Sequence, residues 1–217
     1  MMNIVFVIKS KNQTSLPETE ITGFSVLEYS NKSKIIAALI VMVPCLFNFL
    51  TMMKAPKYPM VQMVLMDLIG LALLFMIFLL HEILHCQGYS AEETKYIIRS
   101  GFLMNTYCTE KLKRDKMIWV GLLPNICITL PVAIISFFLR GINNPIVSVL
   151  SFLAILIIAG AYTDLYMVLT LCEHSKETIF CVNNGKMYKK QQWQYGWRQN
   201  EKAKRVQSLW KRYSRRA

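Results

Sequence analysis

Four apolar runs dominate this 217-residue chain: residues 35–53, 60–87, 117–139 and 145–171. A run of about 20 apolar residues reaches across a hydrocarbon core roughly 30 Å thick when it is helical. Within lipid the backbone must satisfy its own polar groups, which a helix does within itself. The expectation is an all-α membrane protein with four transmembrane helices. The 54% hydrophobic content exceeds the roughly 45–50% of soluble domains and agrees. Pro44 and Asn48 interrupt the first run, and Pro124, Asn125 and Pro131 interrupt the third. In a membrane helix a proline is tolerated where neighbours re-satisfy the carbonyl it frees.

The polar segments divide the rest into a lead (1–34), a loop (88–116) and a basic tail (172–217), around a membrane domain at 35–171. No internal repeat or low-complexity linker breaks this order. Asn3 to Ile8, Ile21 to Tyr29 and the Tyr107-Cys108-Thr109 stretch favour short cytosolic strands. Asn183-Asn184-Gly185-Lys186 reads as a hairpin turn. The apolar patch Ile4–Ile8 is too short for a secretory leader. Four crossings put the lead, loop and tail on one side. Lys and Arg number 4, 6 and 12 there, against three on the other side. That asymmetry predicts a multi-pass protein of the cell membrane with both termini cytoplasmic. The net charge of +12 then reads as flanks facing anionic lipid. Trp193, Trp197 and Trp210 among the tail's basic residues suit a segment lying on the membrane surface. Six scattered cysteines form no CxxC pair and no disulfide framework.

The second run ends in His81-Glu82-Ile83-Leu84-His85. Histidines four apart share one helical face and can hold one zinc ion, with the glutamate between them as general base. A third ligand is needed. With 1.5 Å per residue, His81 lies about 32 Å from the start of the second run and Asp164 about 29 Å from the start of the fourth. Both runs start outside, so these residues reach one level near the inner boundary. His174 would stand about 44 Å along the fourth helix. It remains an alternative ligand only if the chain folds back, as does Glu173. A metzincin needs a further histidine where Ala91 stands, so that class is excluded. Asp67 is about 21 Å from His81 along its helix, too far to be a ligand, and reads as a hydrogen-bonding group between spans. Asn125 is placed either as a donor to a developing oxyanion or as a structural helix-to-helix donor. Cys86 points away from the histidine pair.

The sequence HEILH at a helix end, then YCTEKLKRDKMIWVGLLP, then AGAYTDLYMVL, resembles the Putative zincin peptidase membrane family. That bacterial integral-membrane family is related in pattern to site-2-type intramembrane zinc metalloproteases, and the likeness covers roughly residues 20–185. The site-2 aspartate usually sits in an Asn-Pro-Asp-Gly-type sequence, whereas here it is Tyr162-Thr163-Asp164-Leu165. The resemblance implies His81, His85 and Asp164 as ligands of Zn2+, and Glu82 as catalytic base. The expected function is a zinc-dependent peptidase cleaving a peptide or membrane-protein substrate near the cytoplasmic boundary. The Tyr107 strand is placed to pair with an extended substrate. The alternative from another class is a non-catalytic membrane adaptor or metal-binding protein whose tail binds lipid or a cytosolic partner. No nucleic-acid motif is present. An ion transporter using Asp67 and Asp164 is less well matched, because four spans without a repeat depart from the usual architecture.

Overall fold

The structure is a computed structural model, and it describes residues 3–8, 21–53, 60–100, 103–139, 142, 145–183 and 186–190. The first two apolar runs are single helices, α1 (Asn31–Met53) and α2 (Met60–Gln87). The third is composite: α3 (Arg114–Pro124), one wide π turn (Asn125–Thr129) and α4 (Leu130–Leu139). The fourth is α5 (Pro145–Gly160) followed by α6 (Tyr162–Cys172). Four helical stretches are thereby long and apolar enough to cross a membrane: Asn31–Leu50, Leu68–Gln87, Arg114–Leu139 and Ile146–Cys172. Their outward faces carry large apolar side chains such as Leu65, Leu68, Leu71 and Phe138, the last 75% exposed. A surface this apolar is compatible with a multi-pass membrane protein.

The helices extend slightly beyond the apolar runs. α1 starts at Asn31 and α3 at Arg114. The added turns carry Lys32, Lys34 and Lys116. The π turn has a cause in sequence. Pro131 offers no N–H to the carbonyl four residues back, and its ring crowds that carbonyl. The preceding turn widens, and the Leu130 N–H bonds to the Asn125 carbonyl instead.

The strands are more extensive than isolated short pieces, so the all-α expectation becomes mostly helical with two small sheets. β1 (Ile4–Ile8), β3 (Lys95–Ser100) and β4 (Leu103–Cys108) form one sheet in the order β1-β3-β4. β2 (Ser25–Val26), β5 (Leu112–Lys113), β6 (Ile179–Asn183) and β7 (Lys186–Lys190) form the other, ordered β2-β7-β6-β5. β1 runs parallel to β3, and the other pairs are antiparallel. Asn183 pairs with Lys186, so β6 and β7 are linked by two residues, as the Asn-Gly sequence there predicts. The turns at 54–59 and most of 140–144, and the tail with Trp193, Trp197 and Trp210, lie outside the described residues, as does the side chain of Asp67.

α2 packs between α3 and α5, α1 lies against α5 and α6, and α3 against α6. Within the bundle, Leu74, Ile128, Leu153 and Ile157 pack together, and Val41 joins Ala154 and Ile158. The largest core lies where helix ends meet strands. It includes Leu27, Tyr89, Cys108, Leu112, Met117, Val120, Leu171, Phe180 and Met187. The segment just after α2, the start of α3 and the end of α6 are therefore fixed by a packed core rather than left to fray.

Candidate metal centre

The site is built where α2, the third helical stretch and α6 approach one another. One helical turn separates His81 from His85, and their ring centroids are 4.9 Å apart. Asp164 is in the first turn of α6. Its Oδ2 lies 3.0 Å from His81 Nε2 and 3.4 Å from His85 Nε2. Ligand atoms of these three residues all lie within 4.8 Å of one another. Zinc–ligand bonds of about 2.0–2.2 Å put the atoms of a tetrahedral set roughly 3.3–3.6 Å apart. The 3.4 Å His85–Asp164 separation falls on that edge and the 3.0 Å His81–Asp164 separation is somewhat shorter, and two imidazoles with a carboxylate are a donor set zinc accepts. The residues thus fit the ion. The side chains of His81, His85 and Asp164 are only 14%, 10% and 13% exposed, so the cluster is sheltered but not sealed.

Each member is held from behind. His85 Nδ1 lies 2.8 Å from the Val120 carbonyl. A carbonyl only accepts, so Nδ1 carries the hydrogen, and Nε2 is the ring atom that faces Asp164 and would be offered to a metal. Val120 has a carbonyl to spare because the residue four ahead is Pro124, which has no N–H. Gly88 makes the approach possible: a Cβ there would sit 2.6 Å from Val120 Cγ2 and 2.9 Å from Val120 Cα. Glu82 Oε2 accepts from the Thr106 hydroxyl at 2.8 Å, and the Glu82 main-chain oxygen lies 2.9 Å from the same hydroxyl. Thr106 is on β4, so the glutamate between the histidines is tied to the first sheet.

Asn125 donates through Nδ2 to the Gly121 carbonyl and to Asp164 Oδ2, both at 3.0 Å, while its Oδ1 accepts from Thr129 at 3.1 Å. Of its two anticipated roles, the structure shows the helix-to-helix contact. Both amide hydrogens are committed, which leaves none for an oxyanion. His174 is not brought to the histidine pair. Its Nδ1 donates to the Thr170 carbonyl at 3.0 Å, and its Nε2 lies 2.9 Å from Lys189 Nζ. Glu173 accepts from Ser33 at 3.0 Å. Cys86 lies beside Thr106, its Sγ 3.9 Å from the hydroxyl oxygen. Burial pushes the Cys108 thiol up to about 11, so it stays protonated and inert at neutral pH.

No sequence pattern marks Thr106, Val120 or Gly88 as members of the site. The one readable trace was Pro124, four residues after Val120, which marks a carbonyl without a helical partner.

The family described as Putative zincin peptidase matches residues 74–179. The matched stretch contains the histidines, Asp164, Glu82 and every supporting residue named above. No curated protein and no solved structure matches the chain. Similarity to this zincin family supports a metallopeptidase and, with the His-His-Asp cluster, a zinc site.

Proposed function

We propose that the chain is a zinc-dependent peptidase of the membrane, cleaving peptide bonds near the cytoplasmic boundary. The observation that carries this is the His81–His85–Asp164 cluster, its ligand atoms all within 4.8 Å of one another, with Glu82 on the same helical turn and anchored by Thr106. A zinc ion held there supplies a Lewis acid that lowers the pKa of a water and polarises a peptide carbonyl. The protein's own groups do the rest. Glu82 accepts the proton of the attacking water and returns it to the departing amine. The Thr106 hydrogen bond fixes the carboxylate for that transfer. The Val120 carbonyl holds the His85 ring in one tautomer and one orientation. β4, which has a strand neighbour on one side only among the described residues, is where an extended substrate would pair beside Glu82.

In this reading the termini and both sheets are cytoplasmic, as the Lys and Arg distribution argues, and the substrate is a peptide or membrane-protein segment reaching that boundary. The relation to site-2-type enzymes belongs to the same proposal and rests on the helix-borne histidines and the late aspartate. The basic tail contacts anionic lipid. The test is metal content and cleavage on purified full-length protein. About one zinc per chain is expected for the wild type, with loss in His81→Ala and Asp164→Ala. Glu82→Gln should keep the zinc and stop cleavage of a quenched peptide library. Proteolysis retained in Glu82→Gln would falsify the mechanism, and zinc retained in Asp164→Ala would remove the aspartate from the site.

A further inference from the structure

The third helical stretch sends two groups into the site, and both arise from one break in its hydrogen-bond ladder. In an unbroken helix the carbonyls of Val120 and Gly121 would accept the N–H groups of residues 124 and 125. Pro124 has no N–H. The Asn125 N–H turns to the Leu122 carbonyl instead. Two carbonyls are thereby released. Val120 receives the ring N–H of His85, and Gly121 receives one amide hydrogen of Asn125. The second amide hydrogen goes to Asp164 Oδ2, the oxygen that also faces both histidines. The orientation of the amide is chemically forced. Its nitrogen faces a carbonyl and a carboxylate, which only accept, and its oxygen faces the Thr129 hydroxyl. Asn125 is 7% exposed, so water is a poor substitute for these partners.

On the zinc reading above, we propose that Asn125 is a positioning residue of the metal centre: the Pro124–Asn125 break fixes the Asp164 carboxylate through the Asn125 amide while holding His85 through Val120. The π turn that begins at Asn125 is part of the device. Wide turns of this kind recur at functional sites because the extra residue re-aims a side chain. Here the re-aimed side chain spans from the third stretch to α6.

The experiment compares the wild type with Asn125→Leu, in which a side chain of similar size carries no donor. Zinc affinity is read by chelator competition on full-length protein in detergent. The ligand field is read from the visible spectrum of the cobalt-substituted protein, and folding from the melting temperature of the metal-stripped protein. Asn125→Leu is expected to bind zinc roughly 10- to 100-fold more weakly and to show an altered cobalt spectrum, besides any fall in the metal-free melting temperature from the lost hydrogen bonds. A merely structural asparagine would lower that temperature and leave the zinc affinity and cobalt spectrum of the folded protein unchanged, and this outcome overturns the proposal. So does wild-type zinc affinity with a wild-type cobalt spectrum. Pro124→Ala adds a second test: the restored N–H competes for the Val120 carbonyl, so zinc affinity should fall with Asn125 intact. Unchanged affinity there would overturn the part assigned to the proline. Absence of zinc from the wild type itself would instead refute the peptidase reading on which this rests.

Discussion

A single hydroxyl joins Glu82 to the sheet, and this makes Thr106 the sharpest residue-scale probe of the proposed chemistry. Thr106→Val keeps the shape and removes the hydrogen bond. A hydrogen bond to a charged group contributes about 1.5–3 kcal/mol, so kcat should fall by roughly tenfold or more with zinc content unchanged. Steady-state kinetics beside metal analysis decide it, and loss of zinc would show that Thr106 supports the ligands rather than the base. Gly88 is the complementary case. An added methyl would meet the Val120 main chain, and the neighbours must move apart. Gly88→Ala is expected to cost about 1–3 kcal/mol of stability and to weaken zinc binding by stretching the His85–Val120 contact. A variant with normal denaturation and normal zinc would mean that the gap closes without consequence. His81, Glu82 and His85 were legible in sequence because helix spacing is fixed. Thr106 and Gly88 were not, because their meaning lies in contacts with residues 24 and 32 positions away.

At the scale of elements, helix arithmetic survived one local break in the fourth stretch. Counting 1.5 Å per residue put His81 and Asp164 at one level, and the structure brings their side chains to 3.0 Å. The same counting could not find the wide turn at Asn125–Thr129. Pro124 and Pro131 were visible as interruptions, but which neighbour would take each freed carbonyl depends on packing. The strands divide similarly. The Asn-Gly hairpin between β6 and β7 follows from local turn chemistry. The pairing of β1 with β3, and of β2 with β7, joins segments far apart in the chain, which no local pattern encodes. The fourth stretch also has a local irregularity, since the Ala161 N–H lies within reach of both the Ile157 and Ile158 carbonyls. It sits one turn before Asp164, so both helical stretches facing α2 depart from regularity at the depth of the site.

For the molecule as a whole, cysteine exposure offers a direct check on orientation. Cys172 is exposed at the end of α6, and Cys127 is exposed on the third stretch within its apolar span. With the termini cytoplasmic, a membrane-impermeant maleimide should label Cys172 in inverted vesicles but not in intact cells. Cys127, facing lipid, should resist in both. Labelling of Cys172 in intact cells would reverse the proposed topology. The distance in sequence between the donors also carries a meaning in time. Asp164 follows His81 by 83 residues. At about 5–20 residues per second of synthesis, that gap lasts roughly 4–17 s. Throughout it the nascent chain presents the two histidines without Asp164. On the proposed reading, metal loading would thus wait for the fourth stretch, and the half-made protein would carry no competent protease.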